Sequence, residues 1–218
     1  MLKLYYANIA LLEENIVFEE WFDKMNAKRK EKILRCKVEK DKKRSLMAGI
    51  LLKHALESEG LCYETLEFSR EENGKPYVCN HPEIHFSLTH SGEYAGCLIG
   101  DAKVGLDIER RHRESLAKED GNHLIRLAKK TLSLEELEHF LSCEEVKREK
   151  LFLEYWTKKE SYSKAVGQGI QMGFSEIDTE QDTKNFCTFW TEDDYCISIY
   201  SKRINDEELK ITKLSSLS

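Results

Sequence analysis

Apolar residues recur at helical spacing in some stretches and at period two in others, and the changeovers divide the chain. Leu2 to Ala7 reads as a first strand. From Leu12 to Met25 the apolar residues Leu12, Ile16, Trp21, Phe22 and Met25 keep helical spacing. A basic stretch follows as one or two helices. Its last part, Asp41 to Glu59, reads as an amphipathic helix with Met47, Ile50, Leu51, His54 and Ala55 on one face and Gly60 as its stop. Lying on that face, His54 is expected to be a packed histidine. The period then drops to two. Thr65 to Ser69, Tyr77-Val78, Glu83 to Leu88, Tyr94 to Ile99 and Lys103 to Glu109 read as strands, with Pro76 and Pro82 punctuating the zone. Asn73-Gly74-Lys75-Pro76 reads as a turn, and Thr89-His90-Ser91-Gly92 as a polar break between apolar strands.

After a charged connection, Arg110 to Gly121, helical spacing returns over His123 to Lys130, Leu134 to Leu141 and Glu144 to Val166. Ser133 with Glu136 three residues on has the form of a capping box. Strands close the chain at Asn185 to Trp190, Tyr195 to Tyr200 and Leu209 to Thr212. Each half therefore runs helices then strands. That order points to an α+β protein of two subdomains, 1–102 and 103–218, with a cleft between them.

Composition adds limits. At 218 residues, 40% hydrophobic and 34% charged, the chain is long enough for real cores and ordinary for a soluble protein. Net charge is -6, which does not suggest general nucleic-acid binding. No apolar run approaches a membrane span and no secretory signal is read at the N-terminus. Seven cysteines without a Cys-x-x-Cys pair fit reduced thiols in a cytoplasmic protein. The positive charge is uneven: ten of the seventeen residues from Lys28 to Arg44 are Lys or Arg. That is either a pair of exposed basic helices or a local site for an anion.

Two stretches carry candidate chemistry. In Leu153 to Lys164, Trp156, Glu160 and Lys164 fall at i, i+4 and i+8, with Lys159 beside them. The stripe is either a solvated face with a Glu–Lys pair, or a carboxylate for a divalent cation with lysines for the phosphates it bridges. In Val104-Gly105-Leu106-Asp107-Ile108-Glu109, Asp107 and Glu109 share one strand face while Leu106 and Ile108 turn to the core. Two like charges side by side repel, which a divalent cation relieves; a strand end running into solvent, with Glu109 paired to Arg110 or Arg111, is the plainer reading. Together with a lysine on a turn and a Thr-His-Ser segment, these residues suit magnesium-dependent chemistry on a diphosphate or phosphorylated molecule.

At these residues the chain resembles the 4′-phosphopantetheinyl transferases of the Sfp type. Gly74-Lys75-Pro76, Phe86 to Ser91, Val104 to Glu109 and Trp156 to Lys164 occur in the family's order. The resemblance implies two α+β subdomains related by pseudo-twofold symmetry, with coenzyme A in the cleft between them. The expected reaction moves the phosphopantetheine arm of coenzyme A to a serine of an apo acyl or peptidyl carrier protein, releasing adenosine 3′,5′-bisphosphate. It also implies Asp107, Glu109 and Glu160 as Mg2+ ligands, with Glu160, Lys164 and Asp107 catalytic. Thr89 and His90 would touch the coenzyme A phosphates, Lys159 and Lys164 would neutralise the diphosphate, and Lys75 would lie along the nucleotide. Arg44, with Arg29 and Lys32, would face the 3′-phosphate. The family often has Asn-hydrophobic-Ser-His where this chain has Ser87-Leu88-Thr89-His90; Thr keeps the hydroxyl. Glu136 lies near an acidic position of the family in a looser match. A cleft formed within one chain makes a monomer the expected state.

Overall fold

A computed structural model describes residues 1–111, 123–167, 173–204 and 209–217. The connection read from Arg110 to Gly121 lies largely outside the described residues. The chain is α+β, in two compact units: Met1–Ala102 with the C-terminal segment that carries the last strand, and Lys103–Ile204. The sequence division placed that last strand with the second half.

The first unit begins with β1 (Leu2–Asn8), then α1 (Asn15–Asp23), α2 (Ala27–Leu34) and α3 (Glu39–Ser58). A short antiparallel pair, β2 (Phe68–Arg70) and β3 (Pro76–Val78), precedes β4 (His85–Ser91) and β5 (Tyr94–Gly100). Strand order in the main sheet is β4-β5-β1-β9, where β9 (Leu209–Leu214) runs parallel to β1. Helix α3 lies against this sheet and is flanked by α1 and α2.

That sandwiching changes the character of α3. Residues 45 to 52 are all buried, so the helix has no wet side there. Leu46, Met47, Ile50, Leu51, Leu52 and Leu56 are each at most 2% exposed, and each such side chain contributes about 1.5–3 kcal/mol. His54 is not packed into the core as its spacing suggested. It is exposed and rests edge-on against Tyr5, with ring centroids 4.9 Å apart.

The polar break at 89–92 is shorter than read. Thr89, His90 and Ser91 are strand residues paired with Gly96, Ala95 and Tyr94. The turn is Gly92-Glu93 alone, with Gly92 at φ +55° as the first central residue of a tight hairpin.

The second unit repeats the element order of the first: β6 (Val104–Arg110), three helices α4 (His123–Thr131), α5 (Leu134–Ser142) and α6 (Glu145–Val166), then the hairpin β7 (Phe186–Trp190) and β8 (Tyr195–Ser201). Its sheet order, β6-β8-β7, is antiparallel throughout. In both units the first strand pairs with the last strand of the hairpin, and a long third helix covers the sheet. Helix α6 ends at Gly167, which takes the left-handed conformation. No helix among the described residues is long and apolar enough to cross a membrane.

Candidate active site

The chemistry-bearing residues of the second unit are positioned by the contact between β6 and α6. Gly105, Asp107 and Glu109 alternate along β6 and so share one face. A Cβ at Gly105 would lie 1.7 Å from the carbonyl oxygen of Ser161. Only glycine lets α6 come that close, and the same geometry shows that this face of β6 looks at α6. Leu106 and Ile108 face the other way and are buried as well.

The helix meets the sheet through small polar residues. Thr157 Oγ1 lies 2.7 Å from Ser198 Oγ, and Ser198 Oγ lies 2.8 Å from Thr188 Oγ1. Thr157 Oγ1 also donates to the carbonyl of Leu153 in its own helix, 2.9 Å away. Ser198 is the cross-strand partner of Asp107, and Cys196 that of Glu109. Burial holds the Cys196 thiol up at about 12, so it stays a neutral packing group at ordinary pH.

Asp107 is 4% exposed and Glu109 7%. The solvent-facing reading of this strand end is therefore overturned: both carboxylates are enclosed. Nor does Arg111 serve Glu109, since its guanidinium is directed to Glu149 and Asp194. Lys164, on the last turn of α6, donates to Asp107 Oδ1 at 2.6 Å. A buried carboxylate needs such a counter-charge. Glu160 is one helical turn before Lys164 and partly exposed.

Two hard, buried carboxylates on one strand face suit a magnesium ion, which keeps water and phosphate in its other positions. Among the described residues no group of three His, Cys, Asp or Glu side chains is assembled as a ready metal cage.

Lys159 departs from its expected place beside a diphosphate. It is wholly buried, and its ammonium donates to the carbonyls of Phe174 (2.7 Å) and Ile177 and pairs with Glu136 Oε2 at 2.6 Å. Three donors therefore meet three acceptors inside the unit, leaving none for a ligand. Burial pulls the Lys159 ammonium below its ordinary range, against the opposing pull of Glu136. Glu136 is equally buried. It closes the capping box of α5 with Ser133 and accepts from the backbone N–H and hydroxyl of Thr179 at 3.0 and 2.8 Å. Glu136 and Lys159 are thus a structural pair that ties α5 and α6 to the turn at Phe174–Glu176. Trp156 packs between Phe152 and Phe174, with ring centroids 6.1 and 5.4 Å away.

The remaining expected residues lie in the first unit. Thr89 and His90 are neighbours on β4 and so point to opposite faces: Thr89 is buried and His90 exposed. Lys75 follows the left-handed Gly74 in the β2–β3 turn, where its N–H is held by Asn73 Oδ1 at 2.8 Å. Arg29 and Lys32, one turn apart on α2, line a cavity of about 570 Å³. Arg44 does not line it. Its guanidinium donates to the carbonyl of Gly92 and to Asp41, both at 2.8 Å, so its charge is already met.

Arg70 and Tyr63 are among the lining residues that escaped the sequence reading. For Arg70 a signal existed. It stands two residues after Phe68, on the same side of β2, but the strand was ended at Ser69.

A family model described as the 4′-phosphopantetheinyl transferase superfamily matches residues 103–213, just over half the chain. A second, described as 4′-phosphopantetheinyl transferase, N-terminal, matches residues 15–101. The chain is similar to 4′-phosphopantetheinyl transferase psf-1 of Bacillus pumilus, 35% identical over 138 residues, which is 63% of this chain and 55% of that protein. It is similar to 4′-phosphopantetheinyl transferase Sfp of Bacillus subtilis (strain 168), 27% identical over 161 residues, 73% of this chain and 66% of the relative. It is also similar to 4′-phosphopantetheinyl transferase gsp of Aneurinibacillus migulanus, 29% identical over 171 residues, 78% of this chain and 68% of the relative. The matched region thus spans less than two thirds of the first two relatives. The model covering β6 through β9 encloses the Asp107–Lys164 pair, and on that match the chain belongs to the 4′-phosphopantetheinyl transferase superfamily.

Proposed function

We propose that this protein transfers the 4′-phosphopantetheine arm of coenzyme A to a serine of an apo acyl or peptidyl carrier protein, in a magnesium-dependent reaction. The observation that carries the reading is the pair of buried carboxylates, Asp107 and Glu109, turned toward α6 and met there by Lys164. Enclosed negative charge beside a lysine is suited to a site that gathers a cation and phosphates. The names of the relatives point the same way.

In the proposed reaction the serine oxygen forms a bond to the β-phosphorus of coenzyme A. The bond from that phosphorus to the bridging oxygen breaks, and adenosine 3′,5′-bisphosphate leaves. Glu160 takes the serine proton. Lys164 stabilises the charge growing on the leaving phosphate. Asp107 and Glu109, with Glu160, would hold Mg2+. Bound there, the ion would neutralise diphosphate charge and fix its geometry. The exposed His90 would contact the phosphates and Lys75 would lie along the nucleotide, while Thr89, buried on the opposite face of β4, is assigned no contact. Lys159 is assigned no contact with the substrate.

Intact-mass spectrometry of apo carrier proteins incubated with this protein, coenzyme A and Mg2+ tests the reading, with EDTA as control. A gain of one phosphopantetheine that EDTA prevents is expected. No gain on any carrier, together with no calorimetric binding of coenzyme A, would remove it.

A further inference from the structure

The cavity of the first unit holds more positive charge than the basic stretch supplies. Arg29 and Lys32 reach it from α2, and Arg70 reaches it from β2. Among the described residues none of the three is paired with a carboxylate. Glu31, the acid on the cavity wall, is turned to Arg35 at 2.5 Å. These cations, with Lys28 and Arg35 also on the lining, repel one another, and burial partly strips the solvation of Arg29 and Lys32, while Arg70 stands exposed. Desolvation, then Arg29 and Arg70, lower the Lys32 ammonium; desolvation also lowers Arg29, with Arg70 adding to it. A protein that holds charges at such a disadvantage gains when an anion enters.

Arg70 is set for this by its surroundings. One guanidinium nitrogen, Nη1, donates to the carbonyl of Gly74 at 2.7 Å. That bond anchors the fork and leaves its other N–H groups to a ligand. Phe68, on the same side of β2, packs on Tyr63 with ring centroids 5.6 Å apart. Lys28 donates to the Phe68 carbonyl at 2.6 Å, fastening the strand to α2. The volume, about 570 Å³, is that of a small-molecule site. A guanidinium fork beside a second arginine and a lysine is matched to the three outer oxygens of a phosphate monoester.

We propose that Arg70 is a specificity-determining residue: with Arg29 and Lys32 it seats a terminal phosphate monoester, and so makes the chain prefer coenzyme A over its 3′-dephospho form. This rests on the coenzyme A reading above. The identification of Arg70 goes beyond it.

Calorimetry on wild type, Arg70→Gln and Arg70→Lys with coenzyme A and with dephospho-coenzyme A tests the assignment. In Arg70→Gln, affinity for coenzyme A should fall about 10- to 100-fold, the loss of a charge-assisted contact. Affinity for the dephospho form should hardly change, and Arg70→Lys should recover part of the loss. Equal loss for both ligands, or no loss for either, overturns the role of Arg70. Equal binding of the two ligands by wild type overturns the phosphate seat while leaving the transferase reading standing. If wild type binds neither ligand, the transferase reading fails, and inorganic phosphate decides the seat. A phosphate-dependent rise in Tm that Arg70→Gln abolishes supports it, and no rise overturns it.

Discussion

Replacing Lys159 by methionine separates a structural lysine from a phosphate-binding one. The ammonium is buried, and it pairs with Glu136 Oε2 at 2.6 Å while donating to two carbonyls of the Phe174–Ile177 segment. Methionine fills most of the same space without charge or donors. Glu136 would keep the Ser133 and Thr179 hydrogen bonds but lose its counter-charge. Breaking one side of a buried ion pair costs about 3–5 kcal/mol. In a chain of this size that lowers Tm by roughly 6–20 °C. Calorimetric and urea unfolding of wild type, Lys159→Met, Glu136→Gln and the double variant measures it. The double variant should be less harmed than the sum of the singles, with a coupling of about 1–3 kcal/mol. Coenzyme A affinity of folded Lys159→Met should stay near wild type. A Tm within about 1 °C of wild type, with coenzyme A affinity down tenfold or more, would refute the reasoning and return Lys159 to the phosphates.

Three further outcomes are expected. Gly105→Ala puts a methyl 1.7 Å from the Ser161 carbonyl, so α6 must lift from β6 at a cost above the usual about 1–3 kcal/mol of overpacking; thermal unfolding reads it, and wild-type stability would show that the two elements are not in close contact. Glu160→Gln should abolish phosphopantetheine transfer while leaving Tm unchanged, because an amide neither accepts the serine proton nor holds magnesium well; near-normal turnover by intact mass would remove Glu160 from the mechanism. Lys32 has a folded-state pKa below its ordinary 10.5, so across the window between the two the unfolded chain binds more protons and stability rises with pH. Unfolding free energies compared between wild type and Lys32→Gln should show that rise flattened in the variant, and identical slopes would contradict it.

Most elements were readable because their ends were marked. The strands of the hairpins β4–β5 and β7–β8 are short runs bounded by turn residues, and α6 runs without Gly or Pro to a glycine stop. What escaped was set by tertiary contact. The face of α3 was read from spacing, but α1, α2 and the sheet bury residues 45 to 52 on every side, which erases the face. On α6 the helical wheel placed Lys159 with Trp156, Glu160 and Lys164. Its burial comes from the Phe174–Ile177 carbonyls and from Glu136, two distant segments that no local pattern announces. Asp107 and Glu109 were found through strand alternation, whereas their enclosure depends on Gly105, whose close approach to α6 is a three-dimensional fact. Arg70 was passed over because the strand was read as Thr65 to Ser69, one residue short of it, whereas β2 runs Phe68–Arg70.

The parallel strand β9 has a consequence for how the protein is made. Leu2 pairs beside Leu209 and Ala7 beside Leu214, with the whole second unit between them in the chain. At ribosomal speeds of about 5–20 residues per second, roughly 10–40 s pass between the emergence of β1 and that of its partner. During that interval β1 presents an open edge in the nascent polypeptide, while the second unit, contiguous in sequence, is free to fold as soon as it emerges. The first half of the gene therefore encodes the part of the molecule that finishes last, and it is this half that should depend on chaperones during synthesis.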